Sequence, residues 1–433
     1  MTGSRLRARL DALAIRRGEW ARVGLSFLYF FFLLSSYYAL RPVREEMGVR
    51  VGVGRMNWLF TGTFVATLVA TPVFGYVASH LSRRRLAPAV DLFFACNLVL
   101  FFFALRHGSL SGLAGPAFFV WLSVFNLFAV SVAWSLLTDL YAREEARRLF
   151  GVVSSGGTAG ALAGPAAIAL AAPRLGPEPL LLIAAAPLLV CALLAGVLRR
   201  RAAVPGGDHG EAPIGGGTFA GVARSVREPF LLAVALVLVC YTMVSTFLYF
   251  AQAEVVGAAI ASSAERTALF ARIDLAVNCL TIPLQLFVTA PLMRRTGIGG
   301  ALALMSALVT AGIAALALSP GLTAVVAVQI GHRAGHFAVG RPAREALLVP
   351  LDAEARYKAK GFLDTAVFRG SDAASAWLLA AARSAGAGLA ATAWLSVPIG
   401  IVWTVASWHL GGKGEQKASL SGSPIRPAPG RLA

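Results

Sequence analysis

The phrase LRPVREEMGV, Leu40 to Val49, sets Arg41, Arg44 and Glu45 at the end of the first long apolar run of the chain. A guanidinium is a planar fork of donors that grips carboxylate or phosphate through two bonds at once. An ionisable side chain at membrane depth is costly, so it marks a functional site by default. On a continuous helix Tyr37, Arg41, Arg44, Glu45 and Gly48 share one face by their spacing. The chemistry expected of that face is the binding of a small anion by Arg41 and Arg44, with Tyr37 alongside and Glu45 setting charge and orientation. Pro42 would bend the helix and free a carbonyl towards a cavity. The alternative is a solvated helix end whose long side chains snorkel at the interface, and Glu46 and Arg50 are read in that way.

A sister phrase, GRPAREALLV, repeats Arg, Pro, Arg and Glu at Arg341, Pro342, Arg344 and Glu345. Helical spacing puts Arg333, Phe337, Arg341, Arg344 and Glu345 on one stripe, a second candidate anion site. His332 and His336 are one turn apart, but no third ligand lies near, so no metal is expected. Glu254, near the end of the phrase STFLYFAQAEVV, joins the substrate-binding candidates. Asp139, Asp274, Asn278, Asp364 and Arg369 sit in or at the ends of apolar runs and are candidates for coupling or gating. Each has a plain alternative: a helix-end charge for Asp139, an interhelical hydrogen bond for Asp274 and Asn278, an internal ion pair for Asp364, Arg369 and Asp372.

The elements that would carry these residues are membrane-spanning helices. The 433 residues are 57% hydrophobic and 14% charged, against about a quarter charged in a soluble protein. Twelve apolar runs reach the roughly 20 residues that a span needs: 22–46, 57–79, 86–105, 116–139, 151–171, 180–198, 230–252, 267–289, 300–318, 322–345, 361–382 and 388–409. Helix-length runs exclude a membrane β-barrel. The expected fold is therefore all-α, with 12 transmembrane helices in two pseudo-symmetric six-helix bundles. The domains are expected at 1–198 (first half), 199–229 (cytoplasmic linker loop), 230–410 (second half) and 411–433 (disordered tail). Lys and Arg fall twenty-eight to eight in favour of the side that holds both termini, which by the positive-inside rule is the cytoplasm. The expected location is a bacterial inner (plasma) membrane.

Several classes are excluded. The excess of 39 Lys and Arg over 21 Asp and Glu would suggest nucleic acid in a soluble protein, but here the cations bracket apolar runs, so no nucleic-acid partner is expected. The first apolar run is too long for a signal peptide. No G-x-x-x-x-G-K-[ST] phosphate loop occurs, which removes ATP-driven transport. No cluster of acids or histidines suits a membrane enzyme, and no cofactor is expected. Cys96, Cys191, Cys240 and Cys279 are read as small buried apolar residues. Gly156, Gly160 and Gly164, spaced by four, are read as a close helix-packing seam.

The halves resemble one another: LYAREEARRLFG at Leu140 to Gly151 has a counterpart, LDAEARYKAKGF, at Leu351 to Phe362. The loop GYVASHLSRRRL, Gly75 to Leu86, resembles the loop after span two in the major facilitator superfamily, with Ser79 in place of an acid and Ser82 in place of a second glycine. GALAGP, Gly160 to Pro165, is similar to that family's span-five antiporter motif. LRPVREEMG, WSLLTDLYAREEARRLFG, STFLYFAQAE, RPARE and RYKAKGFLDTAVFRGSD together resemble the branch related to ATP/ADP (nucleotide) translocases. In that branch Arg44 stands where a lysine implicated in transport lies. The resemblance implies a secondary transporter that moves an organic anion, nucleotides and other phosphorylated solutes included, by alternating access between its halves. Its partners would be the solute, the bilayer, and protons or a counter-substrate. The rival readings are a non-transporting sensor on the same fold and a proton-coupled exporter of a non-anionic solute.

Overall fold

A computed structural model describes residues 15–107, 111–201, 228–348 and 362–420. Most of the expected linker, the tail beyond Leu420 and the second copy of the repeated loop, Leu351 to Phe362 apart from its last residue, lie outside them. Among the described residues there is no strand. The helices are α1 Trp20–Val51, α2 Met56–His80, α3 Arg83–Arg106, α4 Ser111–Leu140, α5 Arg143–Leu175, α6 Leu180–Arg201 and α7 Pro229–Ala259. They continue as α8 Ser263–Pro283, α9 Ala290–Leu318, α10 Leu322–Gly335, α11 Arg341–Leu348, α12 Phe368–Ser384 and α13 Leu389–Leu420.

These helices make the twelve expected rods. A π turn, Leu284–Thr289, joins α8 to the start of α9, and Gly297 breaks α9 with φ 72°, a left-handed conformation that glycine adopts without penalty. Span eight therefore ends before Gly297 and span nine follows it. Another π turn, His336–Gly340, joins α10 to α11 in one rod, and a third, Leu363–Val367, precedes α12. Among the described residues nine stretches are long and apolar enough to cross a membrane by length and composition. That count is below twelve because Ser263–Leu318 runs as one stretch of 56 residues and the last π turns divide their rods. α1 has 32 residues and α7 has 31, each longer than its apolar run. Their charged ends are neutralised by partners, so the helix does not have to stop where the apolar sequence does.

The chain packs into two compact units. One comprises Met1–Val51, Val69–His209 and Ile260–Leu275; the other comprises Gly52–Leu68, Gly210–Ala259 and Ala276–Ala433. In the first, glycines of α5 let its backbone come up against that of α1. A Cβ on Gly156, Gly160 or Gly164 would stand 2.3, 2.2 or 2.4 Å from the carbonyl oxygens of Phe27, Phe31 and Ser35. The expected glycine seam is thus a backbone-to-backbone contact. Phe94, Trp121 and Phe125 fill the space between α3 and α4 edge-on and stacked. The second unit has its own crossing, where Gly299 of α9 meets Gly411 of α13 and a Cβ on either would come within 2.5 Å of the other's Cα. Two of the four cysteines depart from expectation: Cys191 and Cys240 are buried, but Cys96 and Cys279 are exposed, as faces turned to lipid would be.

Of the two charged residues expected to be solvated, Arg50 is exposed and Glu46 is not. Glu46 is fully buried in the first unit. It accepts 2.7 Å hydrogen bonds from Nε and Nη2 of Arg266, one of 3.1 Å from Arg50, and one from the Ser263 hydroxyl. Arg50 also reaches Glu178 at 2.8 Å, and Arg266 Nη1 donates to the carbonyls of Ile260 and Ala261, both at 2.9 Å. The network ties the end of α1 to the starts of α6 and α8. Burying these charges costs desolvation, and that cost is offset only because every member finds a partner. At the opposite end of α1, Glu19 takes a two-pronged grip from Arg148, 2.9 and 2.7 Å, and Arg22 donates to Glu145 at 2.6 Å.

Four outcomes follow from this packing. Gly160→Ala is expected to destabilise the detergent-solubilised protein by about 1–3 kcal/mol through overpacking. Gly151→Ala, which meets nothing within 4 Å, should leave the melting temperature unchanged or raised. Glu46→Ala takes from Arg266 its carboxylate partner and should cost about 3–5 kcal/mol, read as a lowered melting temperature. The Arg148 hydrogen bonds hold the Glu19 carboxyl at about 2, down from 4.5. Its contribution is therefore complete above the unfolded value and lost as pH falls from about 4.5 towards 2. Glu19→Gln should flatten that limb of the acid-unfolding curve.

Candidate functional site

α1 runs unbroken through Pro42 to Val51. At 1.5 Å per residue it is about 48 Å long, against roughly 30 Å of hydrocarbon. Leu40, Val43 and Met47 are buried around the candidate arginines, so the RPVRE phrase lies inside the helix packing rather than fraying at a wet end. The structure puts Tyr37, Arg41, Arg44, Glu45, Asp139 and Asp274 in the first unit. It brings Arg41 and Asp274 together, one expected to bind substrate and the other to couple or gate. Arg41 Nε stands 3.8 Å from Asp274 Oδ2, their side chains 16% and 2% exposed. The Arg41 guanidinium also lies over the Tyr38 ring at 5.6 Å, and Tyr37 packs edge-on to Tyr38 at 5.2 Å.

Arg44 is differently placed. Its Nε donates to the Phe119 carbonyl at 3.2 Å, its guanidinium covers the Phe119 ring at 3.8 Å, and Nη1 is 3.5 Å from Glu45. The two arginines share a helix face in sequence but not an environment: Arg44 is spent on α4, while Arg41 faces α8. Asp139 is paired with Arg199 of α6 at 2.8 Å. Arg199, which sits in what reads as a basic loop, is not a partner the sequence suggests for Asp139.

The second unit holds Glu254, Asn278, Arg333, Arg341, Arg344, Asp364 and Arg369. The expected single stripe along span ten does not survive there. The π turn His336–Gly340 widens the helix locally and slips the register between Arg333 and Arg341. Arg341 is exposed and Arg344 half-buried, paired with Asp364 at 3.0 Å. Glu345 and Arg333 are half-buried on either side of the turn. Gln285 and Thr289 supply donors to the carbonyls that the π turn frees: Gln285 Nε2 reaches Phe337 at 3.0 Å and the Thr289 hydroxyl reaches Ala338 at 2.7 Å. Arg369 lies 3.8 Å from Asp372, which accepts a 3.2 Å bond from Thr246. Glu254 is joined to Arg383. Asn278 is half-buried in α8.

Sequence reasoning missed the setting of the histidine pair. Both rings stack on Tyr241 of α7, His336 at 4.2 Å and His332 at 5.4 Å between centroids. Trp403 of α13 meets Tyr241 edge-on at 5.8 Å. Tyr241, His336, Arg344 and Trp403 line a cavity of about 30 Å³, room for about two waters. Among the described residues no group of three His, Cys, Asp or Glu could hold a metal. The signal in sequence was the spacing of Tyr241, Ser245 and Gln252 on α7, whose polar side chains recur at helical intervals in an otherwise apolar run.

Three solved structures share this fold. A bacterial homologue of the human lysosomal transporter Spinster, in an inward-facing and unoccupied conformation, superposes with a TM-score of 0.62 at 14% identity, covering 96% of this chain and 100% of that one. A mutant of the nucleoside transporter NupG gives 0.60 at 14%, covering 92% and 99%. A D-xylose-proton symporter gives 0.61 at 14%, covering 91% and 98%. No curated protein matches the sequence. Residues 22–340 match the Major Facilitator Superfamily; with the twelve-rod fold, that match makes the chain a multi-pass membrane transporter of the major facilitator superfamily.

Proposed function

We propose that this transporter moves a small organic anion, a nucleotide or another phosphorylated solute, across a bacterial inner membrane by alternating access, with Arg41 as its principal anion ligand. The observation that carries the reading is the unfilled fork of Arg41. Its side chain is 16% exposed and its carboxylate neighbour, Asp274, is at 3.8 Å, beyond hydrogen-bond reach. It makes no hydrogen bond to a described residue. A half-buried guanidinium held in place by charge but not by hydrogen bonds is ready to exchange a loose intramolecular contact for a bidentate one with carboxylate or phosphate.

The remaining candidates divide around it. Asp274 neutralises Arg41 between binding events, which suits a coupling or gating role. Tyr37 and Tyr38 offer aromatic faces beside the cation. Arg44 and Glu45 brace α1 on α4. In the second unit Arg341 is exposed and forms no ion pair among the described residues, and the pairs of Arg344 with Asp364 and Arg369 with Asp372 suit opening and closing contacts. Resemblance of the RPVRE phrase to that of nucleotide translocases supports a phosphorylated solute, and a nucleoside transporter stands among the structures of the same fold. The excess of Lys and Arg on one side supports cytoplasmic termini.

The test is uptake by proteoliposomes of radiolabelled nucleotides, sugar phosphates and dicarboxylates. Arg41→Ala should raise KM for the transported anion by about tenfold to a hundredfold, the loss of a charged hydrogen-bonding partner. Arg41→Lys should recover only part of that loss, because an ammonium cannot make the fork. Uptake of none of these anions, or uptake that Arg41→Ala leaves intact, overturns the reading and favours a sensor or an exporter of a neutral solute.

A further inference from the structure

Outside the arginine sites, one titratable group in the first unit has no role in anything described so far. Asp91 lies in α3 and is 1% exposed. Among the described residues it has no cation within salt-bridge distance. Its hydrogen bond is with Tyr29 of α1, hydroxyl to Oδ2 at 3.2 Å, and Tyr29 itself is fully buried. The ionisable groups around this pair are few. From α6, Cys191 lies against the Tyr29 carbonyl, its Sγ 3.5 Å from the oxygen. Further along α6 and α4, Arg199 and Asp139 are committed to each other at 2.8 Å. From α4 the neighbours of Phe94, one turn on from Asp91, are the rings of Trp121, Phe125 and Phe128.

Every other buried acid of this unit has a cation: Glu46 has Arg266 and Arg50, Glu19 has Arg148, Asp274 has Arg41, Glu45 has Arg44. An ionised carboxylate in Asp91's position would stand in a low dielectric with a single neutral donor, which is strongly disfavoured. A protonated one has an oxygen acceptor and a hydroxyl partner in Tyr29 and leaves no net charge.

We propose that Asp91 is a reversible proton-binding site, neutral in this conformation, and that the Tyr29 hydroxyl is its way out. Tyr29 and Ser26 are three residues apart on one helix face, and both are fully buried. The Tyr141 hydroxyl donates to Ser26 Oγ at 2.9 Å. Tyr141 in turn lies under the Arg22 guanidinium at 4.6 Å, and Arg22 holds Glu145, whose side chain is 27% exposed. The hydrogen bonds of Tyr29 with Asp91 and of Tyr141 with Ser26 are thus separate links between a buried carboxyl and a solvent-reachable one, related on α1 by the three-residue spacing of Tyr29 and Ser26. In the releasing step the Asp91 O–H bond breaks and its proton passes to the Tyr29 oxygen. The Tyr29 hydroxyl gives up its own proton as it takes this one, and water receives it. No electron is transferred, and the carboxylate left behind stands one charge more negative. The site lies about 12 Å from the start of α3, the end that carries Arg22 and Glu145. The inference rests on the chain being a transporter and not on which solute it moves.

The test is infrared titration of the protein in liposomes, with no solute added. The wild type should show a carbonyl band from a protonated carboxyl that disappears as pH rises, and Asp91→Asn should lack it. Tyr29→Phe removes the donor that favours the carboxylate, so the midpoint should move to higher pH by about one unit. A wild-type spectrum retained in Asp91→Asn overturns the proposal. So does a midpoint that Tyr29→Phe leaves unmoved, a result that decides the matter even if Asp91→Asn fails to fold. Failure of the Arg41 transport assay leaves the infrared band untouched, so the two readings fail separately.

Discussion

A charge withdrawn from water must be neutralised where it lies, and this constraint orders the interior of both units. Nearly every guanidinium or carboxylate in the helices meets its opposite: Arg266 with Glu46, Arg199 with Asp139, Arg344 with Asp364, Arg383 with Glu254. Such pairs add little net stability over apolar packing of the same volume, but losing one partner is expensive. They therefore fix which helix lies beside which. They also throw into relief two groups of the first unit: Arg41, only loosely matched by Asp274, and Asp91, which among the described residues has no cation within salt-bridge distance.

Much of the fold is legible in the sequence, because a span announces itself by length and hydropathy alone. The twelve runs found their twelve rods, and the glycines at 156, 160 and 164 found the carbonyls of α1. What could not be read is register. A π turn leaves no mark in hydropathy, so the stripe drawn through Arg333, Arg341 and Arg344 assumed a regular helix that His336–Gly340 interrupts. All three π turns of the described residues carry or adjoin polar groups of the second unit, in keeping with the tendency of such turns to occur where function departs from ideal helix geometry.

The candidate site was legible in kind and not in arrangement. A cation in an apolar run is conspicuous; its partner is not, because that partner comes from a helix far away in sequence. Arg41 and Asp274 both drew attention separately, and only packing joins them. Glu46 follows another acid at the end of an apolar run and so reads as solvated, yet it is fully buried. Asp91 was overlooked for the opposite reason. It is a lone acid before Leu92, Phe93 and Phe94, and its isolation was itself the signal.

The seam between α1 and α5 has an effect on how the sequence can vary. Gly156, Gly160 and Gly164 meet main-chain carbonyls rather than side chains. The partner positions, Phe27, Phe31 and Ser35, contribute atoms that every amino acid possesses. Substitution is therefore constrained on one helix and comparatively free on the other, although the two are in equal contact. Among relatives of this chain the glycines of α5 should stay fixed while the facing residues of α1 drift, so α1 is at liberty to change its side chains for a new solute without loosening its hold on the unit.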